Sequence, residues 1–323
     1  MDIRRHVTDE ERQLLQAMAC DAVSRELERK RAQAVLTFLE TDSVAAATRA
    51  ASLSEATVRK WIGIFDEQGW QALLVVPQPR GGDFLARYDQ GFWAERLVRG
   101  CLDSSRTHRA IPYGTSRSEP FTDMATFRDY AIDEFMLQAW SASERWKRPD
   151  LLVLPRSLQR EQAGNDEWTP DLIHWDNDRC DTYLGNATVG VEVETSLWMV
   201  SRATVDLSFT VKEEDVAALR NWRRTSGVPL CIVQVFYDSA YALPFGVLED
   251  LIDEEAGDER RVSADVDRTT GKATFMVPLD EGVLLGNIAE PDVEGRVFKS
   301  DNGRVTVYGR LVGSSIIPAD ESL

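Results

Sequence analysis

The apolar residues of this chain change their period once. Through residue 74 they recur at helical spacing, as in Leu14, Leu15, Met18, Val23, Leu27, Val35, Leu36 and Leu39, with charged residues between them. Pro77, Pro79, Gly81 and Gly82 then break the pattern within VVPQPRGGD. Beyond the break come continuous apolar runs, LLVLP at 151–155 and VPLCIVQVFYD at 228–238, short enough for buried strands. The period change predicts a helical domain over 1–82 and a mixed α/β (α+β) domain over 83–323. The second domain's core is expected at about 120–250, with a β-rich extension over 255–323. Asn302-Gly303 within VFKSDNGRVTVYGRLV predicts a hairpin in that extension.

The N-terminal helices carry a more specific pattern. Asp42 or Ser43 can cap a helix from Val44 to Ala51, Ser52-Leu53-Ser54 makes a tight turn, and Ser54 can cap a second helix from Glu55 to Gln68 that Gly69 ends. Alanines at 45, 46, 47, 50 and 51 permit a close crossing, and Val44, Leu53, Val58, Trp61, Ile62 and Phe65 form the apolar seam. SVAAATRAASLS followed by TVRKWIGIFDEQGWQALL resembles the helix-turn-helix of transposase N-termini and bacterial regulators. The resemblance implies that 55–68 is a recognition helix and that Thr57, Arg59 and Lys60 contact DNA. Glu55, Gly63 and Asp66 depart from a strongly basic reader.

Charge limits how DNA can be bound. The 37 Lys and Arg stand against 54 Asp and Glu, a net −17, so a phosphate-binding surface has to concentrate its basic residues on one face. Arg106, Arg109 and Arg117, in a stretch read as a loop over 103–120, are candidate phosphate contacts. Cys20, Cys101, Cys180 and Cys231 lie far apart, as do His6, His108 and His174, which argues against a zinc site. The chain has no apolar run of about 18 residues and begins without an apolar leader, so a cytoplasmic protein away from membranes is expected.

The strongest chemical signal is Val191-Glu192-Val193-Glu194. On a strand the two glutamates share one face, ~7 Å apart, with the valines on the other. Two carboxylates on a strand with buried flanks call for compensation, and a divalent cation is the simplest. Asp150 supplies a third carboxylate, following a proline and opening LLVLP. Asp171 competes with it, being closer to Glu192 in sequence, but LIHWDND is the poorer buried strand.

The order of helix, Asp150 strand, Glu192/Glu194 strand, helix at 213–224 and strand at 229–237 resembles the core of PD-(D/E)XK nucleases. RPDLLVLP stands for the first half-motif and VEVET for the second, with Glu194 where the family usually has lysine. Together with FTVKEEDVAALRNWRRTSGVPLCIVQVFYDSAY, these segments resemble a type II restriction endonuclease over about residues 140–245. That resemblance implies a Mg²⁺-dependent, site-specific endonuclease acting on double-stranded DNA. Asp150, Glu192 and Glu194 would be its metal ligands, and Lys212, a migrated lysine, its fourth catalytic residue. It further implies a homodimer and a partner DNA methyltransferase acting on the same site. A non-enzymatic helix-turn-helix regulator, a transposase or integrase, and a purely structural protein are the competing readings.

Overall fold

A computed structural model describes residues 6–19, 25–76, 79, 81–114, 121–142, 147–158, 172, 177–254, 263–266 and 273–319. The chain divides into two compact units, Met1–Gln78 with Ala125–Glu144, and Pro79–Met124 with Arg145–Leu323.

The first unit begins with α1 (Asp9–Ala19), α2 (Glu26–Thr41), α3 (Val44–Ala51) and α4 (Glu55–Gln68), followed by a 3₁₀ turn at Trp70–Leu73. The expected caps are present. Ser43 Oγ accepts from the Ala46 N–H and Ser54 Oγ from the Thr57 N–H, each at 3.2 Å, and Gly69 closes α4 with φ 79°. Ala47 and Ala51 of α3 are buried against Ala34 and Phe38 of α2 and Val58 and Ile62 of α4, so small residues do permit the close crossing. Glu28 at the start of α2 accepts from the N–H groups of Arg25 and Val75, each at 2.7 Å, and the Arg31 guanidinium donates to the Leu73 carbonyl at 2.9 Å. These bonds fasten the segment after α4 back onto α2.

The expected domain boundaries need a correction. After α5 (Gly82–Asp103), which belongs to the second unit, α6 (Met124–Ala142) returns to the first. There Phe135 is buried with Leu14, Leu15, Met18, Val35, Phe65, Trp70 and Leu73, and its ring lies 5.5 Å from that of Trp70. The core of the second unit therefore starts at α5 and omits residues 125–144. Apolar period alone gives a helix no address, which is why this exchange is invisible in the sequence.

In the second unit α5 precedes β1 (His108–Pro112), β2 (Leu151–Pro155), α7 (Asn177–Leu184), β3 (Val189–Thr195), β4 (Ser208–Lys212), α8 (Glu213–Ser226), β5 (Leu230–Val235), β6 (Ser239–Pro244) and α9 (Phe245–Glu254). Strands β7 (Ser263–Val266), β8 (Ala273–Pro278), β9 (Val283–Ile288), β10 (Asp292–Lys299), β11 (Val305–Val312) and β12 (Ile316–Pro318) follow. Among the described residues the main sheet has seven strands in the order β1-β2-β3-β5-β6-β9-β12. The run β1-β2-β3 is an antiparallel meander, and β5 lies parallel to β3 after the crossover through α8. One face packs on α5 through Trp93, Ala94, Leu97 and Val98, and the other on α8 through Val216, Leu219 and Trp222.

Residues 108–112, expected in a loop, are a strand. HRAIP is short, starts with two polar residues and ends in proline, but Ala110 and Ile111 are buried and pair with Val153 and Leu152 of β2. The C-terminal extension is β-rich as expected, though β9 and β12 belong to the main sheet. Asn302-Gly303 lies in the loop of the β10–β11 hairpin, where Lys299 pairs with Val305 and Gly303 takes φ 81°.

Candidate functional site

Strand β3 places its side chains as the alternation requires. Val189, Val191 and Val193 enter the cluster on the α5 face, while Gly190 and Glu192 face α8. Gly190 is glycine for a steric reason. A Cβ there would lie 2.6 Å from the Trp222 ring and 2.9 Å from Pro149. The close approach seats Trp222 on the strand and Pro149 beside it, which sets the position of the next residue, Asp150. The Asp150 carbonyl accepts from the Tyr113 and Gly114 N–H groups at 2.9 and 3.1 Å, and its side chain accepts from the Val193 N–H at 2.7 Å. Because Leu151 pairs with Val191, Asp150 stands opposite Glu192. Asp150 and Glu192 therefore occupy neighbouring positions on adjacent strands.

Glu192 is 2% exposed. Its Oε1 accepts a hydrogen bond from the Lys147 ammonium, whereas the buried Oε2 has no hydrogen-bond partner. Lys147 also lies 3.5 Å from Asp215 at the start of α8, and Lys212 lies 3.7 Å from Asp215 on the outer side. Gln234 of β5 neighbours Glu194 in register. It is fully buried, and its Oε1 accepts from the N–H and hydroxyl of Thr210 at 3.0 and 3.1 Å.

The electrostatics follow from burial and crowding. Burial raises the Asp150 carboxyl well above its ordinary range, the charges of Glu192 and Glu95 add to the rise, and Lys147 with the Val193 N–H opposes it. Burial also raises Glu192, against the opposing Lys147 charge. Glu194 is pushed up to about 7 by burial and then by the charge of Glu192. For Lys147 burial works against the ammonium, but Glu192, Asp215 and Asp150 outweigh it and keep the group protonated. Four carboxyls thus gather around two ammonium groups.

A cation would relieve that imbalance, and the orphaned Glu192 Oε2 is the kind of acceptor it would take. Mg²⁺ needs only one or two protein carboxylates beside water and phosphate oxygens, so Asp150 and Glu192 fit it. Among the described residues no three Asp, Glu, His or Cys side chains converge closely enough to hold a metal together.

Lys212 is half exposed at the end of β4, pairs with Asp215 and acts on Glu192 and Glu194 through its charge, while Lys147 touches Glu192 itself. Lys147 and Asp215 are the residues that sequence reasoning missed. The one available signal for Lys147 was its place three residues before Asp150. Asp215 was masked by Glu213 and Glu214, an acidic first turn that any helix favours.

The expected DNA contacts fall on both units. On α4, Arg59 and Lys60 are exposed. Arg59 pairs with Glu55 at 2.7 Å, and Lys60 lies over the Trp61 ring at 5.4 Å. Thr57 is engaged in the cap, its hydroxyl 2.7 Å from Ser54 Oγ. Arg106 is exposed in the bend before β1, and Arg109 is half-buried on that strand. Arg109 pairs with Leu154, four residues along β2 from Asp150, or ~13 Å at strand rise. The structure therefore does not bring these two arginines to the carboxylates. Arg117 and Asp171 lie outside the described residues.

Among the described residues no helix is long and apolar enough to cross a membrane. No curated protein and no solved structure matches the chain. Residues 30–82 match the family model described as a helix-turn-helix domain, so α2 through α4 carry a DNA-binding module, and that module supports double-stranded DNA as the partner.

Proposed function

We propose that the chain is a Mg²⁺-dependent, site-specific endonuclease that hydrolyses phosphodiester bonds of double-stranded DNA, as type II restriction enzymes do. One observation carries the reading. Asp150 and Glu192 face each other on adjacent strands, with Glu192 Oε2 unpartnered and Lys147 against Oε1. The topology supports it, since helix α5, meander β1-β2-β3, helix α8 and parallel strand β5 follow the order of a PD-(D/E)XK core.

In this mechanism Asp150 and Glu192 would hold the ion, and Glu194 lies along the same strand. Held there, Mg²⁺ would supply Lewis-acid chemistry to the scissile phosphate and to a water. Lys147 stabilises charge building on a non-bridging phosphate oxygen, and Lys212 flanks it from the solvent side. Glu194, with a pKa near neutrality, is suited to accept the proton of the attacking water. Cutting both strands calls for two such sites, hence a homodimer on a near-palindromic sequence, and host survival calls for a methyltransferase.

The test is plasmid or phage DNA with Mg²⁺ against EDTA. Discrete, EDTA-sensitive fragments support the nuclease, and Glu192→Ala abolishes them while DNA is still bound. DNA binding with no cleavage by the parent protein favours a helix-turn-helix regulator instead. The helix-turn-helix match over residues 30–82 favours that second reading, because it supports DNA binding and calls for no cleavage.

A further inference from the structure

Strand β3, which carries Glu192 and Glu194, ends at Thr195 and runs into the segment 196–207. Leu197 is 60% and Trp198 57% exposed, so this segment begins with two large apolar side chains in solvent. Their backbone is held firmly. The Ser196 N–H donates to the Val235 carbonyl at 2.8 Å and the Tyr237 N–H to the Trp198 carbonyl at 3.0 Å. The Asp238 carboxylate then takes the Val200 N–H at 2.8 Å, the Ser201 N–H at 3.0 Å and the Ser201 hydroxyl at 2.6 Å. A tied segment that presents tryptophan and leucine outward keeps in water side chains that usually bury, and fixes them in advance of a partner.

Position identifies the partner. Trp198 stands four residues beyond Glu194, within ~13 Å even along a fully extended strand. It lies past the end of the strand where the carboxylates, Lys147 and the start of α8 gather. Arg202, exposed at the end of the 3₁₀ turn Val200–Arg202, is the nearby cation, and Asp206 follows on the same segment. An aromatic with an aliphatic neighbour, beside a basic side chain, fits a stack of bases bounded by phosphates.

We propose that Leu197 and Trp198 insert into the base stack of DNA next to the carboxylate site, with Arg202 on the adjoining phosphate. The inference rests on DNA being the partner of this unit and does not depend on cleavage.

The test uses the full chain carrying Glu192→Ala, in EDTA, with sonicated phage DNA as the probe. Trp198→Phe and Trp198→Ala are compared with this parent. In the parent, DNA shields tryptophan fluorescence from acrylamide, and Trp198→Phe removes that shielded share. Trp198→Ala binds about 10-fold more weakly, with the slope of log affinity against log salt unchanged, because stacking releases no counterions. Arg202→Ala lowers the slope by about one. Equal shielding in parent and Trp198→Phe, at full DNA affinity, overturns the insertion and leaves the nuclease reading standing. No DNA binding by the parent overturns both. A loss of self-association in Trp198→Ala, measured by light scattering without DNA, would assign the surface to a second copy of the chain and also overturn the proposal.

Discussion

Lys147 shows how much a single side chain depends on where the chain returns. In sequence it is one of several cations in RWKRPD, and in the structure it neutralises the most deeply buried carboxylate of the site. Lys147→Ala leaves Glu192 buried without its partner. We expect a loss of ~1–2 kcal/mol by urea denaturation, reduced from the fully buried case because the lysine is partly exposed. Adding Glu192→Gln to that variant restores most of the loss, whereas two independent costs would add. Glu194 has a pH signature. Its pKa is about 7 in the folded protein against an ordinary 4.5, so the folded state holds this proton more tightly than the unfolded chain. The stability it contributes is complete below about pH 4.5 and is lost as pH rises through 7. In EDTA, Glu194→Gln therefore matches the parent at pH 4 and exceeds it at pH 8 by up to ~3 kcal/mol. A constant difference across that range would show that Glu194 is not the titrating group.

At the scale of elements, the site depends on how closely β3 and α8 approach. Gly190→Ala puts a methyl group into the Trp222 ring and against Pro149, so we expect ~1–3 kcal/mol of destabilisation. Because Pro149 precedes Asp150, the proposed nuclease reading also expects the variant to lose cleavage more steeply than stability. An unchanged melting temperature would mean that Trp222 moves freely aside. Strand alternation was legible beforehand, since VEVET predicts the valine face and the carboxylate face without further information. Strand β1 was not legible. Residues 108–112 have little strand character of their own and become a strand because β2, about 40 residues further along the chain, offers them an apolar edge through the pairs Ile111–Leu152 and Ala110–Val153.

At the scale of the whole molecule, the helix-turn-helix unit is completed from a distance. Phe135 on α6 sits in the same cluster as Trp70, so Phe135→Ala should destabilise this unit by ~3–4 kcal/mol. A fragment of residues 1–82 should be cleaved by protease faster than the same region in the full chain. Equal resistance would show that α1 to α4 suffice. The net charge of −17 adds a condition on DNA binding. Arg59 and Lys60 are exposed on α4 within an acidic chain, so affinity should fall steeply with salt, and replacing both by alanine should lower the salt slope by about two.

By itself the sequence determined the features set by neighbours a few residues apart. These are the serine caps and small-residue crossing of α2 to α4, the hairpin at Asn302-Gly303, and the two faces of β3, all of which follow from local backbone preference and side-chain period. Only the tertiary structure decided that Lys147 meets Glu192, that Asp215 joins them, that β1 pairs with β2 and that α6 completes the first unit. Each of those meetings joins residues tens of positions apart. Strand register and helix packing bring them together, and no local pattern encodes either.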